Sequence, residues 1–194
     1  MQLEKAKEYV LNILEKGLSP LLCYHDIHHT LTVYDKSLEI ATSENVTDEH
    51  DLNLLKTAAL YHDCGFIHVY DNHEEEGCRI AREVLPGFEY TAEEVDVICE
   101  MIIKTKLPQR PVTQLEKILC DADLDHLGRD SFHEVGDKLY NEWKAMNKHM
   151  SEREWNEVQV HFLETHHFWT NTCKEHREKK KAENLRGLKE KLFA

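Results

Sequence analysis

The run AALYHDCGF, Ala58 to Phe66, closes an apolar stretch with an imidazole and a carboxylate, His62 and Asp63. Burying an ionised carboxylate costs on the order of several kcal/mol unless it is paired or coordinates a cation, so this pair calls for a structural hydrogen bond or a metal. Two other stretches place hard donors at the same kind of boundary. In YHDIHHTLTV, Tyr24 to Val33, His25 and His29 stand four residues apart and share one side of a helix start, with His28 facing elsewhere. In ILCDADLDHLGRD, Ile118 to Asp130, a second apolar run ends in Asp121, Asp123 and Asp125. Two imidazoles and two carboxylates neutralise one divalent ion and leave positions open for water, which is the condition for catalysis. Mixed nitrogen and oxygen ligation suits Mn, Fe, Co, Ni, Zn or Mg without choosing among them. The opposing reading, a satisfied core pair with chance clustering, draws on the 14 His and 37 acidic residues of the chain. Repetition of the pattern in three apolar segments favours the metal.

The elements that must position these donors are helices. The chain has 7 Gly and 4 Pro, and apolar residues recur at three- and four-residue spacing. Leu3, Ala6, Val10, Leu11 and Leu14 form one such face. A second helix, Asp26 to Thr42, is apolar on two sides, with Leu31, Tyr34, Leu38 and Ala41 opposite Val33 and Ile40, and so reads as buried. A third runs from the N-cap chemistry of Thr47 to His50 through Leu54, Leu55, Ala58 and Ala59 to His62, and Gly65 then stops it as a left-handed residue would. Further spans fit Asn72 to Val84, Thr91 to Lys104 behind a Thr91/Glu94 capping box, Val112 to about Leu127, Asp130 to Asn147, and Ser151 to Thr165. Leu185, Leu188 and Leu192 make the charged tail, Asn171 to Phe193, a closing helix or a frayed end. Met101, Trp143 and Met146 lie in apolar patterns and read as core, and the aromatics of HFLETHHFWTNTCKEHR read as packing. No strand pair is evident, and the pattern predicts a compact all-α bundle.

At 194 residues and 41% hydrophobic content, one domain spanning residues 1–194 is expected. The net charge of −13, from 37 acidic and 24 basic residues, argues against a nucleic-acid polymer as partner and leaves a local nucleotide pocket open. Six scattered cysteines without a C-x-x-C pair read as reduced thiols, and there is neither a signal-type apolar region nor a membrane-length run. A cytoplasmic protein is expected, its oligomeric state open.

The order H … HD … D resembles the HD superfamily of metal-dependent phosphohydrolases, an all-helical fold. The resemblance covers about residues 24–130. Its specific parts are YHxxxH with Val33 beyond His29, similar to cyclic-nucleotide phosphodiesterases, and ALYHDCG, similar to A-x-x-H-D-x-G. It implies His29, His62 and Asp63 as ligands of one divalent ion, with Asp123 as the fourth and Asp121 as its rival. It also implies an activated water attacking phosphorus, with Asp63 and His25 as catalytic residues. His25 would be the general acid for the leaving oxygen, a task imidazole suits at neutral pH, with Asp26 as its acidic neighbour; the alternative is a solvent-facing helix residue.

His73, in H-x-x-x-G, resembles a position that faces the site or binds a second metal in some relatives. The helix VICEMIIKTKLP carries no His, which favours a mononuclear site and argues against di-iron oxygenase chemistry; Lys104 or Lys106 there would meet a substrate phosphate or be solvated. The implied substrate is a small phosphorylated molecule, a nucleotide by preference. HDCGFIHVYD lacks the acidic pair of alarmone hydrolases, and the G-Y-P signature of cyclic-di-GMP enzymes is absent. A non-catalytic nucleotide- or metal-binding sensor is the alternative.

Overall fold

A computed structural model describes residues 1–146 and 149–193. All regular structure among them is helical: α1 (Leu3–Gly17), α2 (Ile27–Ser43), α3 (Glu49–Tyr61), α4 (His73–Val84), α5 (Ala92–Thr105), α6 (Gln114–Asp123), α7 (Phe132–Ala145), α8 (Glu152–Thr165) and α9 (Asn171–Phe193). Short 3-10 turns follow α3 at Cys64–Ile67, α4 at Leu85–Phe88 and α6 at Asp125–Gly128. The expected all-α class is observed.

Local chemistry explains where the helices begin. Asp26 caps α2 by accepting from His29 N at 2.8 Å, and Asp48 caps α3 by accepting from Asp51 N at 3.0 Å. Capping boxes open α5 (Thr91/Glu94), α6 (Thr113/Glu116) and α8 (Ser151/Glu154). The core joins faces of almost every helix, including Val10, Leu14, Leu55, Leu60, Ile98, Ile102 and Leu119, with Phe168 from the α8–α9 connection. Each such side chain contributes about 1.5–3 kcal/mol by leaving water. On α2 the fully buried stripe is Thr30, Val33, Ser37, Ile40 and Ala41, while Leu31, Tyr34 and Leu38 are half-buried. The helix packs on α3 and α6, and its start meets their ends. No helix among the described residues is long and apolar enough to cross a membrane.

Three expectations need correction. Gly65 does not stop α3 through left-handed geometry, since no described glycine has positive φ. It is required by close approach: a Cβ there would lie 1.9 Å from the His73 carbonyl oxygen and 2.8 Å from Gly77 N. The turn carrying His62-Asp63 can therefore seat directly on the first turn of α4. The helix expected to run to Leu127 ends at Asp123, because the chain folds into the 3-10 turn under α9. A Cβ on Gly128 would meet Arg177 backbone, and buried Asn184 donates to the Leu127 and Arg129 carbonyls at 2.9 and 3.1 Å. Apolar spacing continues through that turn, which is why it reads as helix. Finally, α7 ends at Ala145, and Asn147, its expected end, lies outside the described residues. The charged tail is a continuous closing helix, with Leu188 and Cys173 in the core and Lys181 donating to the His166 carbonyl at 2.6 Å.

Gly65→Ala should destabilise the fold by about 2–4 kcal/mol in urea denaturation, whereas Gly87→Ala, with open space around it, should stay within about 0.5 kcal/mol. A second test concerns His166, whose pKa burial, together with the charges of Lys181 and His167, pushes down to about 3. The unfolded chain protonates this imidazole near pH ~6.5 and the fold does not, so its stabilising share is complete above that pH and is lost as pH falls toward the folded value. His166→Gln should therefore reduce the stability lost between pH 7 and pH 5 by about 1–2 kcal/mol, compared with wild type by denaturation at both pH values.

Candidate metal centre

The start of α2 and the ends of α3 and α6 bring His29, His62 and Asp123 together, with one donor atom of each lying within 4.8 Å of the others. His29 Nε2 is 3.3 Å from Asp123 Oδ1, 3.3 Å from Asp63 Oδ2 and 3.4 Å from His62 Nε2. His62 Nε2 is 3.2 Å from Asp63 Oδ2. The Ala59 carbonyl accepts from His62 Nδ1 at 2.8 Å, which leaves the Nε2 lone pair to face the cluster. Helix C-termini carry partial negative charge, so α3 and α6 favour a cation here.

The electrostatics point the same way. Burial lowers the His29 pKa, yet Asp123 and Asp63 override it and push it up to about 10. Burial likewise works against the charged form of Asp63, but the adjoining imidazoles of His62, His29 and His73 hold it well below the usual carboxylate range. Asp63 Oδ2 is buried and has no aligned hydrogen-bond partner among the described residues. Two imidazoles and the Asp123 carboxylate converge, with the orphaned buried oxygen of Asp63 against both rings, and form a His/Asp group that could hold a divalent ion.

The neighbouring acids have other partners. Asp121 turns away from the cluster and accepts from Trp169 N, Thr170 N and Thr170 Oγ1 at 2.9, 2.8 and 2.6 Å, tying α6 to the start of α9. Asp125 is paired with Arg129 and, at 2.7 Å, with Arg177. Asp26 is committed to its cap, and the acidic partner of His25 is instead Glu142 of α7, fully buried and 2.5 Å from His25 Nδ1. The same carboxylate accepts from Tyr24 N at 2.9 Å, His25 N at 3.1 Å and Tyr70 Oη at 3.2 Å. Burial raises the Glu142 pKa, but the His25 side chain and these backbone donors prevail and hold it below its usual value. His73 Nε2 lies 3.4 Å from the other Asp63 oxygen, and Phe66 stacks against both His73 and His25 at centroid distances of 3.8 and 4.3 Å. His28 is exposed.

The HD domain profile matches residues 26–128, more than half of the chain. The chain belongs to the HD family. A predicted HD superfamily hydrolase from an uncultured Thermotogales bacterium is 25% identical, with 96% of this chain and 91% of that one covered and a TM-score of 0.63. A Listeria innocua protein is 22% identical, with 100% and 99% covered and a TM-score of 0.65. Bacillus subtilis YpgQ, in complex with ADP, is 20% identical, with 98% and 97% covered and a TM-score of 0.63. These last two share the fold. No curated protein matches the chain. HD proteins are metal-dependent hydrolases, in keeping with the His/Asp group found at the end of the apolar helices.

Beside the HD pair opens a cavity of about 470 Å³ lined by Asp63, Asp123, His25 and His73 at the cluster and by Lys106 and Asn72 farther out. Lys104 is half-buried and is not part of this lining, whereas Lys106 is, paired with Glu75 and donating to Asn72 Oδ1 at 2.8 Å. Trp143 also differs from its expected place: it lines the cavity, its ring 5.5 Å from that of Trp155. Apolar spacing marks a side chain as inward-facing, but not whether the inward volume is filled. Glu142 was not singled out in the sequence, because it lies 117 residues from His25 and resembles any acid of a helix.

Loss of a cluster donor and loss of a nearby structural acid should separate cleanly. Asp123→Ala should lose bound divalent metal with little change in the metal-free melting curve. Asp121→Ala should keep its metal and lose about 2–4 kcal/mol of stability, because three donors are left without their acceptor. Metal analysis and denaturation of both variants check this.

Proposed function

We propose that this protein hydrolyses a phosphate ester or anhydride of a nucleotide with the help of one divalent ion held by His29, His62, Asp63 and Asp123. The observation that carries the reading is a cavity in which two of those donors, Asp63 and Asp123, share a wall with His25, itself fixed by a buried carboxylate. The cavity lining includes the carboxylates of Asp63, Asp71, Glu74 and Asp123, and its lysine is already paired, so a polyanion enters only where a cation offsets these charges. When bound, the ion supplies the Lewis acidity that lowers the pKa of a water and offsets charge on the phosphoryl oxygens.

The remaining steps belong to the chain's own residues. Glu142 accepts the Nδ1 proton of His25, so Nε2 is the nitrogen that presents a proton to the leaving oxygen. The ring that gives up this proton carries one on each nitrogen, so transfer turns the imidazolium into the neutral imidazole, whose Nδ1–H still donates to Glu142. Phe66 holds His25 and His73 by stacking, and His73, in contact with Asp63, lies where a substrate oxygen would approach. Lys106 rather than Lys104 is placed at the cavity to meet an outer phosphate. ADP bound to YpgQ, which has the same fold, supports a nucleotide. The core shared by the described helices supports one domain, and the proposed site of action on a small molecule is the cytoplasm.

Metal-loaded protein should hydrolyse members of a nucleotide and phosphodiester panel. Asp63→Ala should lose both metal and turnover. His25→Ala should keep metal and lower kcat by about 10²–10⁴-fold, and Glu142→Gln should keep metal and lower it by about 10–100-fold. Retained metal with no turnover by wild type across the panel would replace catalysis with a binding or sensing role. Equal kcat in wild type and His25→Ala would remove His25 as the acid.

A further inference from the structure

The cavity beside the cluster changes character along its length. Its volume, about 470 Å³, is in the range that accommodates whole small molecules rather than a phosphate alone. One end is the carboxylate and imidazole wall already described. The other runs between α7 and α8, walled by Phe132, Val135, Leu139, Trp143, Trp155 and Phe162. All six lie beyond residues 26–128, the span matched by the HD profile.

This apolar arm contributes no acidic or basic chain to the lining. Its polar members are Gln159 and His126. A charged or heavily hydroxylated group entering the arm would give up its water without recovering equivalent hydrogen bonds. A flat ring would instead meet an aromatic wall, in which Trp143 and Trp155 pack on each other with centroids 5.5 Å apart and planes tilted by 56°. A second feature distinguishes the arm from ordinary core. Trp155 is only 5% exposed, yet its indole N–H has no acceptor among the described residues. Together with the Gln159 amide it suits a ring that carries heteroatoms better than a plain hydrocarbon.

We infer that the α7–α8 arm is the recognition subsite for the organic part of the substrate, and that this part is an uncharged, planar heterocycle such as a nucleobase. The inference rests on the reading above that the phosphate lies at the His/Asp cluster, and it adds where selectivity resides. Sugar phosphates and inorganic polyphosphates satisfy the cluster but leave the arm empty, so they bind more weakly than a nucleotide of equal charge. Leu139 and Val135, half-buried on the α7 wall, control the width of the arm without touching the cluster.

Calorimetry on the metal-loaded protein with ADP, ribose 5-phosphate and inorganic pyrophosphate tests this. Wild type should bind ADP at least tenfold more tightly than either of the others. Leu139→Trp, which fills the arm, should weaken ADP at least tenfold more than it weakens pyrophosphate, with metal content retained, and Leu139→Met should stay near wild type. Should Leu139→Trp fail to fold, Val135→Trp blocks the same wall and carries the comparison. Equal affinity for ADP and pyrophosphate, or an unchanged ADP affinity in a folded, arm-filled variant, overturns the subsite and leaves the hydrolase reading standing. Binding of none of the three by metal-loaded wild type overturns both.

Discussion

The charge balance around Asp63 is the constraint on which the rest of the structure depends. Its carboxylate is nearly inaccessible, one oxygen faces His29 and His62, and the other faces His73. Asp123 adds a second negative charge within 3.3 Å of His29. An apolar core tolerates such a group only with a compensating cation, and the two carboxylates beside His29 raise its pKa in the same sense. Helix placement follows from it. The beginning of α2 must meet the ends of α3 and α6, and the turn after α3 must approach α4 closely enough that only glycine fits at position 65.

The C-terminal helices complete this arrangement. α7 supplies Glu142, which gathers Tyr24, His25 and Tyr70 onto one buried carboxylate and thereby orients the segment entering α2. α9 braces the turn after α6 through Asn184 and the close contact of Arg177 with Gly128, while Asp121 fastens the same helix to Trp169 and Thr170. Asp121 and Asp123, two residues apart, thus face opposite tasks: one holds the helix end in place, and the other joins the cluster. On the proposed reading, residues outside the HD match position the acid and shape the pocket for the organic group, while the matched residues hold the ion.

Much of this arrangement is legible in the amino-acid sequence. Helical spacing located the nine helices seen among the described residues, to within a few positions at most ends, because an amphipathic face leaves a periodic trace. The ends that escaped were decided by contacts from distant chain. The turn at Asp125–Gly128 keeps the apolar rhythm of α6 but bends under α9, and Gly65 marks a close approach that its own neighbours do not encode. The same limit explains Lys104 and Trp143: helical phase tells which way a side chain points, while cavity edges depend on what stands opposite.

The sequence by itself determined the all-helical class and the clustering of hard donors at the ends of apolar runs, because periodicity and the cost of burying charge act locally. It left Asp121 and Asp123 as rivals, and it left His25 with Asp26 as its apparent partner. Only the tertiary structure separated these. Which carboxylate faces the imidazoles, and which acid reaches His25, depends on helices packed together across 117 residues of chain, a distance over which neither spacing nor residue type carries information.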